Sequence, residues 1–295
     1  MAYQMGTQSD AREILADIIA LVTDNTKMAG AAWTIKHQTE NEIIFMAPGD
    51  GNDQIYTGIQ LNESGNNQWF TLNGMAGFDP NLPFEQQPGC IEEGEYRPTC
   101  PFLKGSVMSY WLTANARRIL MGYRIGTRYE GMYLGLLRPY ALEKQYPYPL
   151  VVGGSATGSN WADNSSDHRV FVNPGTSRND TYTSLRLRRP DGTWRGFVNR
   201  NSADAVNSAA SSFLWPTYVA PQSLLRNTDG EVALFPVTLY SKTPVDAIGE
   251  LDGVYWLSAH GLAAEDIITY NGDTYVVLQN VHRTARDEMW GILLK

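Results

Sequence analysis

The stretch SVMSYWLTANARRILMGYRIGTRYEGMYLGLL, residues 106–137, decides the fold. It is the most apolar block of the chain and divides into three β-rich runs, SVMSYWLTAN, RRILMGYRI and TRYEGMYLGLL, joined by tight turns near Asn115 and Gly126. In the second run Arg118, Leu120, Gly122 and Arg124 alternate with Ile119, Met121, Tyr123 and Ile125. A two-residue period places successive side chains on opposite faces, which predicts a strand with one face in and one face out.

Upstream, Ala11, Ile14, Leu15, Ile18, Ile19 and Val22 recur at helical spacing, and the reading is an amphipathic helix over 8–23 with Thr7 and Asp10 as its capping box. Four short runs follow, AAWTIK (31–36), EIIFMA (42–47), QIYTGIQL (54–61) and NQWFTLN (67–73), broken by Gly, Asn and Asp turns. The helix is expected to lie on the antiparallel sheet they form. Residues 74–105, rich in Gly, Pro and acidic groups and without periodicity, read as one long connection.

Downstream, RPYALEKQYPYPLVVGGSA (138–156) carries three prolines and ends at a glycine pair, so it is expected over the sheet surface or between domains. Residues 155–181 have the composition of an exposed loop, and 200–212 of a loop or short helix. Pro190-Asp191-Gly192 and Asn271-Gly272 predict hairpin turns, because both segments end in a glycine that accepts positive φ. EVALFPVTLY, LDGVYWLSA, EDIITYNGDTYVVLQNVH and DEMWGILLK complete the strands. The expected fold class is mainly β with a minor α component (α+β): an N-terminal helix-plus-sheet domain over 1–154, then a sandwich- or barrel-like β-rich domain over 155–295.

Only 18% of residues are charged and the net charge is −8. Without clustered Lys and Arg there is no footprint for nucleic acid or an anionic membrane, and neither is expected as a partner. The N-terminus lacks the basic start and apolar core of a signal peptide, so assembly in a cytoplasm is expected, and Cys90 and Cys100 are read there as two free thiols rather than a disulfide. The four histidines, 37, 168, 260 and 282, share no metal-ligand spacing, and no metal or other cofactor is expected. Gly153-Gly154-Ser155 lacks the flanks of a nucleophile elbow. Asp163, Asp167 and His168 are merely adjacent in a polar loop, and Asp50 and Asp53 lack the spacing of a calcium loop. Glu92, Glu93 and Glu95 read as an acidic loop face, not as paired catalytic carboxyls. Trp69, Trp111, Trp194, Trp256 and Trp290 sit in apolar runs and read as core, whereas Trp161 and Trp215 sit in polar loops. The candidate protein-contact residues are therefore Trp161, Trp215, Glu92, Glu93 and Asp163, on loops 74–105, 155–181 and 200–215.

YWLTANARRILMGYRIGTRYEGMYLGLLRPYALEKQYPYPLVVGGSA (110–156) resembles a group of tailed-bacteriophage virion structural proteins in which a strand block leads into a PYA–QYPYPL–VGGSA segment. IYTGIQL, QWFTLNGMAGF, FEQQPG and GELDGVYWLSAHGLAAEDIITYNGDTYVVLQNVHRT resemble the same group in the same order, over most of the chain. The resemblance implies a non-enzymatic part of the virion, in its tail or baseplate or at the neck or a tail-fibre junction. Its implied partners are other virion proteins and copies of itself in a ring. Two rival readings remain at this stage: a receptor- or carbohydrate-binding tail protein using Trp161 and Trp215, and a cell-wall hydrolase, for which no nucleophile, metal set or carboxylate pair stands out.

Overall fold

The computed structural model describes residues 1–49, 55–91, 95–155, 170–171, 184–196, 212–215, 232–242, 245–257, 259–284 and 289–295. Among these the chain is mainly β, with one α-helix and three antiparallel sheets, as the α+β expectation has it.

The 106–137 block forms the middle of the first sheet. Its order is β1 (Ala2–Gln8), β7 (Met108–Ala114), β8 (Arg118–Ile125), β9 (Arg128–Leu136), β11 (Leu150–Gly153), β12 (Leu185–Arg188) and β13 (Trp194–Gly196). The turns fall where the sequence puts them. Asn115 Oδ1 accepts from the backbone N–H of Arg117 and Arg118, and Gly126 closes the two-residue link between Ile125 and Arg128 at φ +61°. The second sheet is a meander of β2 (Thr34–Gln38), β3 (Glu42–Ala47), β4 (Ile55–Ser64), β5 (Asn67–Met75) and β6 (Thr99–Leu103). The third runs β14 (Ser212–Trp215), β15 (Leu234–Lys242), β16 (Val245–Leu257), β19 (Met289–Leu293), β18 (Asp273–Gln279) and β17 (Ile267–Tyr270), with β10 (Arg138–Pro139) paired beside β16. Both predicted hairpins form: Arg188 pairs with Trp194 around Gly192, and Tyr270 with Asp273 around Asn271-Gly272, whose two positive φ angles match the twist of the strands.

The first sheet is a central layer. Ile119, Met121, Tyr123 and Ile125 of β8 and Met132, Leu134 and Leu136 of β9 enter one core with the helix and the second sheet, through Ile14, Ile18, Phe45, Phe70 and Phe102. On the opposite face Trp111, Leu120, Tyr129 and Tyr133 enter another core with Leu239, Leu251, Leu278 and Trp290 of the third sheet. This corrects the reading of the alternation in 118–125 as one face in and one face out. Both faces are buried, and the residues that look solvent-bound, Arg118 and Gly122, are the ones the third sheet covers.

The helix, α1, spans Ala11–Thr23, three residues later than the predicted start. Its N-cap is Asp10, which accepts from the N–H of Arg12 at 2.8 Å, and Glu13, not Thr7, reaches back to the N–H of Ser9. Thr7 instead belongs to β1, a strand absent from the sequence reading. The helix buries Ala11, Ile14, Leu15, Ile18, Leu21 and Val22 against β1, β5 and β7, while Ile19 is only partly covered.

The central sheet draws strands from both sides of residue 154, and the core shared with the third sheet joins Val151 to Leu185 and Leu187. At that point the Gly153-Gly154 pair serves a close approach: a Cβ on Gly154 would lie 2.3 Å from the carbonyl oxygen of Thr99. The hydroxyl of Ser155 is fully buried and bonded to the backbone of Gly131 at 2.8 Å.

Candidate interaction surface

Of the five residues proposed from sequence as contacts, Glu92, Glu93, Trp161 and Asp163 lie outside the described residues. Trp215 is the last residue of β14, with its backbone opposite Thr238, so it belongs to a strand and not to a loop. Asp50, Asp53, Asp167, His168 and most of 155–181 and 200–212 also lie outside.

The described parts of the proposed contact loops are more packed than their composition suggests. Within 74–105, Phe84 and Ile91 are buried, and Gln87 is bonded to Asp79 and Leu82 at 2.7–3.0 Å. Its described residues fold onto the second sheet, where Phe84 joins Ile44, Tyr56 and Met75, and among them only Leu82 and Tyr96 stand out as exposed apolar groups. Within 155–181, Val170 and Phe171 are buried against Gly131 and Trp290, which corrects the reading of the whole segment as exposed. Of the tryptophans read as core, Trp111, Trp256 and Trp290 are buried, whereas Trp69 and Trp194 are half-buried.

The buried charges sit where layers meet. Arg118, fully buried on the central sheet, has its Nε 3.4 Å from Asp252 Oδ2 on β16 and donates to the carbonyl and hydroxyl oxygens of Thr113. Asp252, also buried, receives Arg138 at 2.6 Å and the Asn115 amide at 2.9 Å, and its backbone N–H donates to the Tyr133 hydroxyl. Burial pulls the Arg118 guanidinium down from its ordinary pKa and Asp252 pushes back. At the other end of β8, Arg124 pairs with Glu265 at 2.6 Å, and Tyr129 donates to the same carboxylate. Buried Arg186 meets Glu95 at 3.3 Å. Each pair links strands or layers. Among the described residues no group of three His, Cys, Asp or Glu could hold a metal, and no helix is long and apolar enough to cross a membrane. Cys90 and Cys100 are both free, with their thiols pushed up chiefly by burial.

On the outside, Glu63 gathers Lys104 at 2.6 Å, Arg12 at 2.7 Å and Gln68 at 3.1 Å, which tie the helix start to the β4–β5 hairpin. Lys104 first, then Arg12, lowers its carboxyl to about 2. Apolar side chains also remain exposed, among them Met1, Tyr3 and Met5 around β1, Val107, Tyr140 and Leu142. The signal for β1 was present in MAYQMGTQ, where Met, Tyr, Met and Thr alternate with Ala, Gln, Gly and Gln. Its half-polar alternation is weaker than the apolar runs that follow.

Compared with known proteins, the chain matches no family model and no curated protein sequence.

Proposed function

We propose that this chain is a structural component of a tailed-bacteriophage virion, placed in the tail or baseplate, and that it acts through contacts with other virion proteins and with copies of itself in a symmetric ring. The observation that carries the reading is the disposition of its functional groups. The buried pair Arg118–Asp252, with Arg138 reaching the same carboxylate from a more exposed position, binds the central sheet to the third, and the partly exposed pair Arg124–Glu265 does the same at the other end of β8, while apolar side chains are left on the outside. Interiors committed to rigidity and exteriors carrying uncharged side chains suit a part that holds neighbours in register. The reading assigns no catalytic role. It leans on the resemblance of the 110–156 segment for the kind of particle.

Particles purified from cells producing this chain with its neighbouring genes provide the test, with the tail fraction separated from the heads and its proteins quantified by mass spectrometry. The expected result is this chain at a fixed copy number per tail. Its absence from particles, or turnover of a cell-wall polymer by the purified chain alone, would overturn the reading.

A further inference from the structure

The dipeptide Asn-Gly occurs twice in the chain, at Asn73-Gly74 and Asn271-Gly272, and the fold treats the two pairs in opposite ways. Asn73 lies within β5, fully buried and opposite Gly58. Its Nδ2 donates to the carbonyl of Phe84 at 3.3 Å and its Oδ1 accepts from the N–H of Ile91 at 3.2 Å, so the side-chain amide is held by both its atoms. Gly74 is shut in as well, since a Cβ there would lie 2.6 Å from the Trp194 ring.

Asn271 and Gly272 form the turn between β17 and β18, at φ +52° and +89°, and both are exposed. Beyond its chain neighbours, no described residue comes within 4 Å of a Cβ placed on Gly272, and the strand pairing stops short of the turn at Tyr270 opposite Asp273. An asparagine before glycine holds its amide carbon within reach of the next backbone nitrogen, with no side chain to obstruct the approach. Closing that distance requires the backbone to rotate, which an exposed glycine turn at a sheet edge permits and a buried ladder position does not.

We propose that Asn271 is a site of spontaneous deamidation, selected over Asn73 by the fold. Hydroxide takes the Gly272 N–H proton and the nitrogen attacks Asn271 Cγ. A bond from that nitrogen to Cγ forms, the bond from Cγ to Nδ2 breaks, and ammonia leaves after taking a proton from water, which restores the hydroxide and leaves a cyclic imide. A second water opens the ring without any transfer of electrons. Cleavage at Cγ gives aspartate, and cleavage at the backbone carbonyl gives isoaspartate, whose main chain runs through Cβ and Cγ.

The two products act differently on the hairpin, although both place a new negative charge next to Asp273. Aspartate tolerates the left-handed backbone that Asn271 occupies, so it keeps the turn. Isoaspartate adds a methylene to a turn whose length sets the register of β17 on β18. That hairpin seats Ile268 opposite Tyr275, and both are buried with Leu257, Val277 and Met289 in a small core on the third sheet. The reaction requires no partner, so it is independent of the assembly reading.

The test incubates the purified full chain in warm, mildly alkaline buffer, beside a sample unfolded in urea. Mass spectrometry follows the Asn73 and Asn271 peptides and separates aspartate from isoaspartate. Asn271→Gln, a residue too long to close the same ring, and Asn271→Asp are carried in parallel. The native chain should lose Asn271 at least about tenfold faster than Asn73, which reacts only after local opening, and the two rates should converge in urea. Asn271→Gln should stay unmodified at that position. The aged acidic fraction, collected by anion exchange and shown to contain isoaspartate, should melt below the fresh chain, while Asn271→Asp should melt with the fresh chain. A native chain that keeps Asn271 intact, or that loses Asn73 as fast, overturns the site; an isoaspartate fraction that melts with Asn271→Asp overturns its effect on the hairpin.

Discussion

Arg118 owes its place to Asp252. A fully buried guanidinium is tolerated because a carboxylate faces it and the Thr113 oxygens accept its hydrogen bonds. Asp252→Ala is therefore expected to cost about 3–5 kcal/mol in chemical denaturation, since it strands that charge, whereas the double variant Arg118→Met/Asp252→Leu should recover most of the loss. A double variant as unstable as the single would show that the pair does more than offset its own burial. Glu63 behaves differently because it faces solvent. Its carboxyl is lowered to about 2, below the ordinary value of 4.5, so its contribution is complete above pH 4.5 and lost as pH falls towards 2. The melting-temperature gap between wild type and Glu63→Gln should therefore be open at pH 7, close over that window, and shrink in high salt at pH 7. Neither role is visible in the sequence alone. An arginine alternating with leucine and glycine reads as solvent-facing, and only the third sheet, arriving more than a hundred residues later, reveals that Arg118 is covered.

Among the elements, the helix and the hairpins were legible because their signals are local: apolar spacing, a capping carboxylate, and glycine where φ is positive. Asp10→Ala should cost about 0.5–2 kcal/mol through loss of the cap to Arg12, read as a lowered denaturation midpoint. The pairing of β8 with β9 was legible, but the use of its glycines was not. Gly122 lies opposite Gly131, and together they leave a slot for the third sheet: a Cβ on Gly122 would sit 2.3 Å from Leu278 Cδ1, and one on Gly131 would sit 3.2 Å from Trp290. Gly122→Val is accordingly expected to destabilise by about 1–3 kcal/mol or more by forcing the layers apart, and Trp290→Ala by about 3–5 kcal/mol by emptying the slot. Thermal melts of the two variants test this, and an unchanged Gly122→Val would mean that the layers pack less closely than described.

At the scale of the whole molecule, the sequence pointed to sheet and one helix but not to stacking. A helix on a sheet followed by further strands is compatible with separate units. What joins them is long-range: β12 and β13 add to the sheet begun by β7–β9, and the third sheet closes over its second face. No periodicity encodes which faces meet, because that depends on volume and charge matched across distant segments. Burial within 74–105 and 155–181 was hidden for the same reason, as loop composition does not distinguish a surface arm from a segment folded over a core, and Phe84, Val170 and Phe171 are the latter.

The first strand of the chain finds its only partner among the described strands at residues 108–114. On a ribosome adding roughly 5–20 residues per second, that strand leaves the tunnel several seconds before the segment it needs. For that interval a half-apolar ribbon is open on both edges, and whatever keeps nascent chains apart must act on residues 2–8 before residues 108–114 arrive. On many ribosomes translating one message together, such unpaired ribbons are held close to one another, and the wait for a partner more than a hundred residues away becomes a hazard for unfinished chains.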